Sequence, residues 1–138
     1  NWLSFLESRG CSMSKPCVFC EKVNNNDVLY QNELAACFRD GFPISKGHTL
    51  IIPKDHIQDY FELNKETKEA MNDLVEIARN DLIEKFKPDA FNFGLNSGPA
   101  AGQTVGHAHL HLIPRFEGDV EDPRGGIRWI ISDKAKYW

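Results

Sequence analysis

The chain has 138 residues, 41% of them hydrophobic and 26% charged, with a net charge of −4 at pH 7. That length suits a single domain, residues 1–138, with a real core. The acidic balance argues against nucleic-acid binding through a broad basic surface, although a small phosphorylated ligand needs only local donors. No stretch reaches the roughly 20 apolar residues of a membrane-spanning helix, and Asn1–Glu7 lacks the basic and long apolar regions of a secretory signal, so a cytoplasmic protein off the membrane is expected.

Trp2, Phe5 and Leu6 have helical spacing and the run ends at Gly10, which predicts a short N-terminal helix. Cys17-Val18-Phe19-Cys20 follows as a cysteine-bearing turn. Its spacing suits metal ligands or a redox pair, while four cysteines in a chain of this length do not make a disulfide scaffold. Cys11 and Cys37 fit no pattern and read as free thiols. Beyond the turn cluster Asn24–Asp27, the runs Val28–Tyr30 and Leu34–Phe38 read as a hairpin. A loop at 41–47 leads to a third strand, His48–Pro53, β-branched and closed by proline.

Asp55 is placed to cap a short helical turn through Tyr60. From about Asn64 to Lys87, Ala70, Met71, Leu74, Val75, Ile77, Ala78, Leu82, Ile83 and Phe86 recur at three- and four-residue steps and predict one long amphipathic helix. Asn64 suits its N-cap, and Lys85 and Lys87 suit its last turn before Pro88. Ala90–Asn96 reads as a fourth strand, Ser97–Gly106 as a glycine-rich loop, and the fifth strand starts at His107. The fold class is therefore α+β: a five-stranded antiparallel meander with one long helix and a short N-terminal helix. The tail 116–138 is apolar enough to pack on something, a second subunit being one candidate.

His107, His109 and His111 alternate with Ala108, Leu110 and Leu112. A period of two places the three imidazoles in one row, about 6.5 to 7 Å apart, able to line a polyanion or to share a metal between neighbours. The preceding loop has backbone N–H groups that can approach phosphate oxygens, with Ser97, Gln103 and Thr104 adding neutral donors.

The run His107-Ala108-His109-Leu110-His111-Leu112-Ile113 resembles the signature of the histidine triad family. The resemblance extends over residues 15 to 115, through Asn96, Gly102-Gln103-Thr104-Val105, Gly47-His48-Thr49-Leu50-Ile51-Ile52-Pro53-Lys54-Asp55-His56, Phe38-Arg39-Asp40 and Cys17-Val18-Phe19-Cys20. It implies an enzyme that cleaves at the α-phosphate of a nucleotide, with His109 as the nucleophile that forms a nucleotidyl-histidine intermediate. It further implies that a backbone carbonyl near His107 holds the tautomer of His109, that His111 donates to a phosphate oxygen, and that His48 buttresses the triad. Asn96, Gly102, Gln103 and Thr104 would face the phosphates and Asp40 the ribose hydroxyls. Phe19 and Phe38 would wall the base, although both are equally consistent with ordinary core.

The resemblance also implies a structural zinc held by Cys17, Cys20, His56 and His107, no organic cofactor, and a homodimer. The loop from Gly98 to Val105 leans towards a dinucleoside polyphosphate such as diadenosine tetraphosphate, and the CxxC pair towards an adenosine phosphoramidate, so the substrate stays open between them. A nucleotide-binding interaction protein with incidental hydrolysis, and a metallohydrolase using the triad as zinc ligands, are the other readings.

Overall fold

In the computed structural model, which describes residues 17–138, five antiparallel strands form one open sheet with a long helix against one face. The elements are α1 (Val18–Asn24), β1 (Tyr30–Gln31), β2 (Ala35–Arg39), β3 (Thr49–Pro53), α2 (Lys65–Phe86), β4 (Ala90–Leu95), β5 (Leu110–Arg115) and α3 (Ser132–Ala135). Short 3-10 turns lie at Tyr60–Glu62, Pro99–Ala101 and Gly126–Ile130. The α+β class holds, but the strand order β1-β2-β3-β5-β4 is not a simple meander. The chain leaves β3 through α2, lays β4 one position away, and returns β5 into the gap, so β5 is central and β4 is an edge.

The helix α2 forms where the periodicity places it. Asn64 caps it by accepting from the Thr67 N–H at 2.8 Å, and Lys87 ends it in the left-handed region at φ 51° before Pro88. Met71, Leu74, Val75, Ala78 and Leu82 face the sheet and pack on Cys37, Ile51, Leu110 and Leu112. Burying each large side chain there contributes about 2 kcal/mol. On the opposite face Ala36, Phe38, Leu50 and Ile52 pack against Cys17, Phe19 and Cys20 of the α1 region.

Three local expectations change. The cysteine turn is the start of a helix, because α1 buries Phe19 and Cys20 on the sheet and Cys17 serves as its N-cap position. The helical turn expected from Asp55 forms later, at Tyr60–Glu62, where the Asp59 carboxylate accepts from the Phe61 N–H at 2.9 Å. The fifth strand begins at Leu110 rather than His107, so two of the three histidines precede the ladder. The expected N-terminal helix and Cys11 lie outside the described residues. No helix among the described residues is long and apolar enough to cross a membrane.

Candidate functional site

The register across the sheet sets the face on which the chemistry sits. Phe38 pairs with Leu50, Leu50 with His111, and His111 with Gly94. Residues opposite each other in a ladder point to the same face, so His111 lies on the face away from α2. His109 and His111 approach with ring centroids 5.1 Å apart, and the Phe19 ring meets His109 edge-on at 5.0 Å.

Backbone acceptors and donors set the tautomers. His109 Nδ1 lies 2.9 Å from the His107 carbonyl oxygen, which can only accept, so Nδ1 carries the proton and Nε2 keeps a bare lone pair. The Ile44 N–H donates to His48 Nδ1 at 3.2 Å, which leaves the proton of a neutral His48 on Nε2. His48 Nε2 in turn donates to His111 Nδ1 at 2.9 Å, so a neutral His111 carries its proton on Nε2. That Nε2 is buried without a partner. A buried donor left unpaired costs about 1–3 kcal/mol and calls for an acceptor.

The rings are held neutral near pH 7. Burial lowers the pKa of His109, although its bond to His107 and the charge of Asp40 work the other way. Burial, then the neighbouring His109 and His48, pushes His111 down to about 4. His48 is lowered by burial against the opposing pull of Asp40, whose Oδ2 lies 3.4 Å from His48 Nε2. The other Asp40 oxygen accepts from the Phe42 N–H at 2.9 Å.

The third histidine faces a different group. His107 Nε2 donates to the Pro53 carbonyl at 2.8 Å, so Nδ1 is the atom turned to Cys17 Sγ at 3.6 Å and Cys20 Sγ at 3.5 Å. His56 Nδ1 lies 3.3 Å from Cys20 Sγ. The four buried donors all fall within 4.8 Å of one another. A tetrahedral zinc with ordinary bond lengths separates sulfur from nitrogen by about 3.6 Å, so the donor set and its spacing fit that metal. Cys17 is a free thiol and Cys20 is disulfide-bonded, so the set is complete only when Cys20 is reduced. The Pro53 carbonyl orients the His107 ring for coordination. Cys37 is a free thiol, as expected.

The glycine-rich loop does something other than expected. The N–H groups of Gly98, Ala101, Gly102 and Gln103 all bond within the loop, the first to the Gln103 side chain and the others to backbone carbonyls. The Gln103 amide donates to the carbonyls of Gln58 and Val105, both at 3.0 Å, and Ser97 Oγ donates to Asp59 at 3.2 Å. The loop is thus built to deliver the chain to His107, and Gln103 and Ser97 are engaged in shaping it. Thr104 remains exposed and Asn96 half-buried at the end of β4. Phe19 and Phe38 are buried and contact each other at 5.4 Å, which makes them core as well as neighbours of His109. Sequence reasoning missed the Ile44 N–H and the Pro53 carbonyl, since a backbone group contributes no residue type to read.

A family model described as "HIT domain" matches residues 21–118. The chain is 36% identical over 111 residues to "Adenylylsulfatase HINT3" of Arabidopsis thaliana, covering 78% of this chain and 56% of that one. It is 35% identical over 113 residues to "Bis(5'-nucleosyl)-tetraphosphatase [asymmetrical]" of Schizosaccharomyces pombe, covering 80% and 60%. It thus spans less than two thirds of either of these two relatives. Among solved structures, a HIT family protein of Bacillus anthracis superposes with TM-score 0.70 at 40% identity, covering 75% of each chain. A zinc-bound histidine triad family protein of Mycobacterium smegmatis gives TM-score 0.68 at 36% identity over 75% of this chain and 77% of that one.

Proposed function

The chain belongs to the HIT-domain family, and from that membership and the geometry of its histidines we propose that it is a nucleotide hydrolase or nucleotidyl transferase acting through a covalent nucleotidyl-histidine. The observation that carries the reading is the fixed tautomer of His109, whose protonated Nδ1 is held on the His107 carbonyl while Nε2 is left as a nucleophile. A neutral imidazole attacks phosphorus without deep pKa tuning, and covalent catalysis divides one hard displacement into two easier ones.

His109 Nε2 forms a bond to the α-phosphorus as the bond to the leaving group breaks, and the leaving group departs with the electron pair. Water or another acceptor then displaces His109 and receives the nucleotidyl group. His111 Nε2 donates to a phosphate oxygen as charge builds, satisfying the atom that is otherwise unpaired. Asp40 binds the ribose hydroxyls, Phe19 and Phe38 border the base, and Asn96 and Thr104 face the phosphate, while the Gly102 N–H stays on the Pro99 carbonyl. Gln103 acts by shaping that loop.

Cys17, Cys20, His56 and His107 would hold a zinc ion. That ion, bound by four protein donors, would supply a cross-link between α1, the segment after β3 and the histidine run. The preferred substrate is a dinucleoside polyphosphate such as diadenosine tetraphosphate, with an adenosine phosphoramidate as the alternative. The relatives named for a tetraphosphatase and an adenylylsulfatase support phosphorus chemistry of this kind. The open edge at β4, with Phe93 exposed, supports a homodimer, and a thiolate metal site suits a reducing, cytoplasmic setting.

The test is AMP release from diadenosine tetraphosphate and adenosine phosphoramidate, run side by side. Wild type should turn over at least one, and His109→Ala should lose at least about a thousandfold of that rate while retaining AMP binding. If wild type touches neither substrate, a nucleotide-binding role replaces the enzyme.

A further inference from the structure

A row of contacts leads outward from His109. The Phe19 ring meets His109 edge-on at 5.0 Å, Phe38 meets Phe19 at 5.4 Å, and the Lys22 ammonium stands 5.6 Å from the centroid of the Phe38 ring. Lys22 ends the row. It follows Phe19 on α1 at a spacing of three, which helical geometry turns into neighbouring positions on one face. Its side chain is partly exposed while Phe38 is buried, so the apolar stem lies along the aromatic wall and the charge stays at the solvent side.

The turn after α1 holds the ammonium in place. The Asp27 N–H donates to the Lys22 carbonyl at 2.8 Å, with Asn26 in the left-handed region at φ 54°, and the Asp27 carboxylate accepts from Lys22 Nζ at 3.0 Å. A pair this exposed adds little stability. Its effect is positional, because it stops a long flexible side chain beside Phe38 and leaves the other ammonium protons for an acceptor.

A base seated against Phe19 and Phe38 brings an edge within reach of Lys22. An ammonium donates and never accepts. Guanine carries two adjacent acceptors on one edge, N7 and O6, whereas adenine sets the N6 donor beside its N7. We propose that Lys22 reads the base and selects guanine over adenine through that edge. The guanosine members of the dinucleoside polyphosphate class are then favoured over the adenosine ones. The inference rests on the placement of the base in the nucleotide reading above.

Dissociation constants for GMP, IMP and AMP are measured by calorimetry on His109→Ala, where no turnover intervenes. GMP and IMP, which share N7 and O6, should each bind about fivefold more tightly than AMP, the discrimination expected of one partly exposed charged donor. All three carry the same phosphate, so a general attraction of Lys22 for anions cancels in the ratio. Adding Lys22→Met, which keeps an unbranched stem and a good helix former, should bring the ratio close to unity, and adding Lys22→Arg should preserve the preference. Equal binding of GMP and AMP, IMP binding no better than AMP, or a preference that survives Lys22→Met overturns the assignment and leaves the nucleotide reading intact. Binding of none of the three overturns both. Failure of the wild type to release AMP overturns the hydrolase reading without altering this result.

Discussion

In the proposed mechanism His48 has no contact with the nucleotide, and its place in the structure is to set which nitrogen of His111 bears the proton. Removing it frees His111 to place its proton on Nδ1, and Nε2, the donor that the proposed mechanism turns to the phosphate, becomes an acceptor. His48→Ala should therefore lower kcat roughly 10- to 100-fold, as for other partners that orient a reactive group, with little change in AMP affinity. Equal losses in kcat and AMP affinity would make His48 a binding residue instead. The residue before it is constrained in another way. Gly47 sits at φ +90°, and a Cβ there would meet Leu82 Cδ2 at 2.7 Å and Phe86 Cδ2 at 2.9 Å. Both the dihedral and the contact penalise a side chain, so Gly47→Ala should destabilise by about 1–3 kcal/mol, read from the denaturant midpoint. The glycine was visible in the sequence as part of a loop, and so was α2, but the close approach of the one to the other was not.

At the scale of elements, α2 is tied to the sheet by a polar cluster as well as by its apolar stripe. Burial opposes the Asp81 carboxylate, but hydrogen bonds from Tyr30, Lys85 and Arg39 together outweigh it and hold its pKa below the ordinary value. The Tyr30 hydroxyl donates at 2.9 Å, and the Arg39 and Lys85 nitrogens lie 3.1 Å from the carboxylate. A carboxyl whose folded pKa is depressed stabilises the fold above its unfolded pKa, about 3.9, and loses that contribution as pH falls through the folded value. Asp81→Asn should thus cost about 2 kcal/mol at pH 7, and the difference from wild type should shrink below about pH 4. A cost that stays constant down to acid pH would show that packing, not charge, is lost. Periodicity exposed the helix itself, because a 22-residue amphipathic run leaves little ambiguity. It could not expose α1, whose seven residues become helical by burying Phe19 and Cys20 on a sheet formed much later in the chain.

For the molecule as a whole, the four-donor cluster joins α1 to the segments that lead into and out of α2 and the glycine-rich loop. Metal removal under reducing conditions should lower Tm by about 5–15 °C, and Cys17→Ser should reproduce it. Any fraction that stays folded should keep its turnover, since His109 uses a lone pair of its own; a complete loss of turnover at full folding would favour metal-dependent chemistry.

The sequence by itself determined what is local and periodic: the helix α2, five strand segments, the alternation that brings His109 and His111 to one face, and a ligand set with CxxC spacing. The tertiary structure alone decided the placement of β5 between β3 and β4, the turning of His107 towards cysteines 87 and 90 residues away, and the closure of the tail over Ile113. It also decided the tautomers, because Ile44, Pro53 and His107 act through backbone atoms that every residue type shares. Side-chain pattern encodes which face a residue takes, whereas a hydrogen bond between distant segments depends on where the whole chain puts two atoms, and that follows only from packing.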